Sequence, residues 1–141
     1  MLALSVHSPF ASPPRPIAGE DAVARAIDAA GTVSGAYVTS PCAFVPLGDD
    51  ARLLVDALRP PGAARGSWVL VTVRESGEAG QRAHLRERCL TAAQRVMLAL
   101  ACDGVDNTWV EDGLPDARAF RAVGTDLGDG VPVGLVWCAT G

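Results

Sequence analysis

Apolar and polar positions fall along the chain in short blocks separated by glycine and proline, and the period of each block predicts its element. Val23, Ile27 and Ala30 recur at helical spacing behind Gly19–Glu20–Asp21. That pattern predicts a helix over about residues 21–31, with acidic residues in the first turn and Gly31 closing it. After the turn-like TVSGAYVTSP, the apolar run CAFVPL (42–47) reads as a strand. Asp49–Asp50 is expected to cap a second helix reaching about Leu58. RPPGAARG (59–66) breaks the chain, and SWVLVTV (67–73) is the strongest strand signal. Beyond the loop ESGEAGQ (75–81), the longest helix is expected from Arg82 to about Asp103, closed by Gly104. NTWV (107–110) predicts a short strand, GLPDARAFRAVG (113–124) a short helix with Pro115 in its first turn, and VPVGLVWCATG (131–141) a final strand.

Residues 1–18, rich in proline and serine, predict an extended lead-in over the surface, followed by a single domain over 19–141. The order helix, strand, helix, strand, long helix, strand, short helix, strand predicts an α+β or α/β sandwich without repeats. The second half of the long helix (Ala92, Ala93, Val96–Ala101) is apolar almost all round. Such a helix is expected to be buried on every side, centrally or against a second subunit.

Composition narrows the picture. The chain has 141 residues, 49% apolar and 5% aromatic, enough for one core but not two. All twelve basic residues are arginine, the mark of a GC-rich coding genome, and the net charge of -4 argues against nucleic acid as the main partner. The weakly charged run Leu90–Cys102 is too short to cross a bilayer. The N-terminus lacks the basic and apolar regions of a signal peptide. Cys42, Cys89, Cys102 and Cys138 are widely spaced, with no CxxC and no adjacent histidine. They are expected to be reduced, buried cysteines of a cytoplasmic protein.

Generic catalytic patterns are sparse. His7 and His84 are the only histidines, and neither sits in a triad or metal-ligand pattern. No GxGxxG follows a strand and no P-loop is present. The acidic pairs at 49–50 and 111–112 are expected at solvated turn or capping positions.

Whole segments, taken in order, carry more. TAAQRVMLALACDGVDNTWVEDG (91–113) is similar to the central helix and following strand of the flavin-dependent nitroreductase family. VPVGLVWCATG resembles that family's last core strand, SWVLVTV its middle strand, and AIDAAGTVSGAYVTSPCAF (26–44) its Ala-Ala/Pro-Ser/Asn-x-Gln segment. The resemblance implies a nitroreductase-like α/β sandwich, α+β in class, with a mainly antiparallel central sheet flanked by helices, in a minimal version lacking the C-terminal arm. It also implies FMN bound between two subunits that meet through the helix over 82–103, as a homodimer or with a nitroreductase-fold homologue. Electrons would pass by ping-pong chemistry from NAD(P)H through the flavin to a small organic acceptor.

The resemblance assigns flavin contacts to Ser34 and to the backbone of Glu111, Asp112 and Gly113, with Tyr37 and Thr39 where the family has Asn-x-Gln and Cys42 where it has a cleft tryptophan. The N-terminal arginines that hold the family's FMN phosphate are replaced by Ser5 and Ser8, which leaves Arg15, and after it Arg82, as the expected phosphate ligands. Two other readings fit the same residues: a subunit that completes a homologue's flavin site, and a non-catalytic binding protein on the same fold.

Overall fold

In the computed structural model, residues 4–6, 22–27, 42–63, 66–75 and 78–139 are described. Strands β1 (Leu4–Val6), β2 (Cys42–Pro46), β3 (Gly66–Arg74), β4 (Asn107–Val110) and β5 (Gly130–Ala139) form one sheet in the order β1-β4-β5-β3-β2, with every neighbouring pair antiparallel. The helices are α1 (22–27), α2 (Asp49–Val55, continued by a 3-10 turn over Asp56–Leu58), α3 (Ala79–Cys102) and α4 (Ala117–Ala122). The molecule is therefore α+β, with helices packed on an open antiparallel sheet.

The two central strands explain the layering. β3 and β5 pair along their length, Gly66 opposite Ala139 and Arg74 opposite Gly130, with a register shift at Val71/Thr72. Their side chains alternate between faces, as a pleated strand requires. Val69, Val71, Val133, Val136 and Cys138 meet Val96, Met97 and Leu100 of α3 and Ala22, Val23 and Ala26 of α1. Trp68, Leu70, Leu135 and Trp137 meet Val55 of α2 and Phe120 of α4 on the other face. Both faces are thus covered, and the strands read as continuous apolar runs for that reason.

Helix α3 is built from strong helix formers and starts at Ala79, a turn earlier than the apolar spacing predicts. It stops at Gly104, whose φ of +80° few other residues adopt. The Gly104 N–H donates to Ala101 O at 3.0 Å and the Val105 N–H to Leu100 O at 2.9 Å, while Leu100 and Val105 join the same core, a Schellman ending with its hydrophobic contact. Asn107 then fastens β4 to this end, its Nδ2 donating to Met97 O at 3.0 Å and Val105 O at 3.1 Å.

Several expectations are corrected. The second half of α3 is not apolar all round: Gln94, Arg95, Leu98 and Cys102 are exposed, whereas Ala92, Val96 and Leu100 are buried within the single chain, the latter two in the core with β3 and β5. The short helix begins at Ala117 rather than Gly113. Pro115 precedes it, and Asp116 is the N-cap, its Oδ1 accepting from the Ala119 N–H at 2.9 Å. At α2 the cap position is Gly48, and Asp49 and Asp50 occupy the first turn. Within the lead-in, Leu4–Val6 forms an edge strand paired with Asn107–Trp109. The helix expected over 21–31 is described over 22–27 only.

The cysteines differ most. Cys42 on β2 and Cys89 on α3 form a disulfide, with Cα atoms 5.4 Å apart. Cys102 is a free, exposed thiol, and only Cys138 is free and buried as expected. Closing a loop with a sequence separation of 47 contributes roughly 4 kcal/mol by the chain-entropy relation.

Candidate functional site

β3 ends where β5 begins, Arg74 opposite Gly130, β4 ends part-way along β5 with Val110 opposite Leu135, and Arg82 and Arg86 of α3 lie beside the β3 end. The residues at this end are linked one to the next. Gly134 of β5 has no side chain because a Cβ there would overlap the indole of Trp109. Bare backbone lets the ring lie across β5, and its Nε1–H donates to Glu111 Oε2 at 3.3 Å. The same carboxylate oxygen accepts from Arg86 Nη2 of α3, also at 3.3 Å. Glu111 is thus held from two sides as the chain leaves β4. Gly113 completes the turn with φ +76°, and a Cβ there would sit 2.9 Å from Leu58 Cδ2.

Beyond Arg86 lies a cavity of about 230 Å³. Arg74 from the end of β3, Arg82 and Arg86 from α3, and Glu75 supply its polar wall, and Val131 and Pro132 are part of its apolar wall. Arg82 and Arg86 share one helix face because they are four residues apart. Arg86 is the only one of the three with a carboxylate within 4 Å among the described residues. With three arginines and one glutamate in its lining, this is a recess rich in cationic residues on a protein of net charge -4. Such a recess holds anions by charge-assisted hydrogen bonds.

A larger cavity of about 430 Å³ lies at the opposite end of β3, between Leu47, Trp68 and Val23. Among the described residues its one cation is Arg52, which pairs with Asp49 at 3.6 Å and donates to Gly66 O at 3.3 Å. Among the described residues no group of histidine, cysteine, aspartate and glutamate could hold a metal ion. Burial pushes the Cys138 thiol up to about 12, which removes it from nucleophilic chemistry at neutral pH.

Of the residues singled out in the sequence, Glu111, Asp112 and Gly113 form the turn just described, and Arg82 lines the cavity beside it. Arg15, Ser34, Tyr37 and Thr39 lie outside the described residues, as does His7. His84 is exposed on α3. Cys42 is tied into the disulfide and presents no thiol to a cleft. Sequence reasoning missed Arg74 and Arg86. The i,i+4 spacing to Arg82 signals Arg86, whereas Arg74 joins them only through the packing of α3 on β3. No protein-family model matches the chain, and no curated protein matches it significantly.

Proposed function

We propose that this protein is a cytoplasmic FMN-dependent oxidoreductase of the nitroreductase type, passing electrons from a reduced nicotinamide to a small organic acceptor. It would work as a dimer, with a second copy or with a nitroreductase-fold homologue, through α3. The observation that carries this reading is the fixed turn Glu111–Asp112–Gly113 at the end of β4, where the resemblance expects backbone donors toward the flavin. The bond from Trp109 and the ion pair with Arg86 hold Glu111 and keep its charge neutralised. An antiparallel sheet crossed by one long helix is compatible with the same fold class.

FMN needs cations for its phosphate and hydrogen-bond donors along its ring edge. The described residues fit the anionic end, because Arg82 and its neighbours gather on a recess next to the turn. The backbone of 111–113 would meet the ring edge and Arg82 the phosphate. When bound, FMN supplies the electron-transfer chemistry, and the chain's part is to bind and orient it.

Titration of the native assembly with FMN, followed by flavin absorbance and fluorescence, tests the reading. Weak binding is expected, together with nicotinamide oxidation that depends on added flavin. Gly113→Ala strains a left-handed backbone and presses on Leu58, so it should lower the stability of the fold by about 1–2 kcal/mol and, by displacing the 111–113 backbone, weaken FMN binding. An assembly that binds no flavin and oxidises no nicotinamide overturns the proposal.

A further inference from the structure

We infer that the recess between Arg74, Arg82 and Arg86 is a binding site for a phosphoryl group carried on a partly apolar small molecule. The inference draws its ligand chemistry from the recess alone. The flavin reading enters only in naming FMN as one source of that group, a free phosphomonoester being the other.

Three features select this chemistry. The first is charge: three arginines and one acidic residue, Glu75, line the recess, and Glu111, which is not among its lining, pairs with Arg86. The remainder is one to two positive charges, which matches a phosphoryl group at about −1.5 to −2 better than a single carboxylate. Arg74 and Arg82 have no carboxylate within 4 Å among the described residues, so their donors stay open to a ligand.

The second is size. About 230 Å³ is below the roughly 300–1,000 Å³ of pockets that enclose whole drug-sized ligands. The recess therefore takes the head group, and the body of the ligand lies outside it. The third is the wall on that outer side. Val131 is 39% exposed and Pro132 half-buried, an apolar shelf beside the cations that the ligand's body would cover. Arginine forks grip phosphoryl oxygens two at a time, which a lysine in the same place could not do.

Isothermal titration of the full chain at constant ionic strength in chloride, with inorganic phosphate, FMN and riboflavin as probes, tests the site. Phosphate binding is expected in the native protein, and Arg74→Ala and Arg82→Ala should each weaken it roughly ten- to a hundredfold. Arg82→Lys should recover part of the loss, and Arg118→Ala, exposed on the outer side of α4, should change nothing. Because Arg74 and Arg82 are exposed, circular dichroism of the variants should match the parent. If FMN fills the site, the same substitutions weaken FMN but leave riboflavin unaffected. If phosphate binds through these arginines and neither flavin binds, the site stands with a free phosphomonoester as its ligand, and the flavin reading falls. Phosphate binding that is absent, or that survives the Arg74→Ala/Arg82→Ala double variant, overturns the inference.

Discussion

Cys138 and Cys102 are both free thiols, yet their surroundings give them opposite chemistry. Cys138 lies between β3 and β4 in the core, where the thiolate would lose its hydration, so its pKa rises to about 12. Cys102 is exposed at the end of α3. Native labelling with a thiol reagent should therefore modify Cys102 within minutes and Cys138 only after unfolding, with Cys42 and Cys89 reacting only once reductant is added. Native labelling of Cys138 would contradict its burial. The same shift sets an alkaline limit. Above about pH 9 the unfolded thiol loses its proton while the buried one keeps it until about 12, so the native state loses stability as pH rises through that window. The Cys42–Cys89 bond was not legible in the sequence, because nothing in two cysteines this far apart says that α3 will cross β2. A reducing cytoplasm keeps most such pairs as thiols, so the native redox state bears directly on the proposed location.

At the level of elements, α3 shows what periodicity captures and what it misses. Its body and glycine stop were legible, because helix-forming residues run from Gln81 to Gly104, but its first turn was not, because Gly80 interrupts them. Its outer face was not, because small alanines blur the boundary between stripe and surround. Val96 is fully buried in the sheet-facing core, while Leu98, at 58% exposure, faces outward. Val96→Arg should therefore unfold the chain, since an unpaired buried charge costs more than about 4 kcal/mol against a total stability of about 5–15 kcal/mol. Leu98→Glu should keep the fold, and if subunits meet on α3 it should shift the assembly to monomers, as read by light scattering and thermal melts. A Val96→Arg protein that melts like the parent would refute the assigned burial. β1 escaped sequence reading for a different reason: three residues carry no usable alternation, and the strand exists because β4 offers it an edge. α4 was displaced because Pro115 signals a first helical turn, whereas the Asp116 side chain takes the cap one residue later.

On the scale of the whole molecule, the candidate site depends on strands that meet across large sequence distances. Glu111 and Arg82 were singled out from the chain alone, but Arg86 was not, and Arg74 joins the helix arginines only when α3 packs on β3. The strand order has a further consequence for how the protein is made. β5 is the hub of the sheet, hydrogen-bonded to β3 on one side and β4 on the other, yet it follows every other strand in the chain. During synthesis, at roughly 5–20 residues per second, the β2–β3 and β1–β4 ribbons must wait seconds with open edges for the strand that joins them. For that interval the growing chain carries two halves of one sheet and no completed core, and its exposed apolar strands are open to chaperones and to like chains on neighbouring ribosomes.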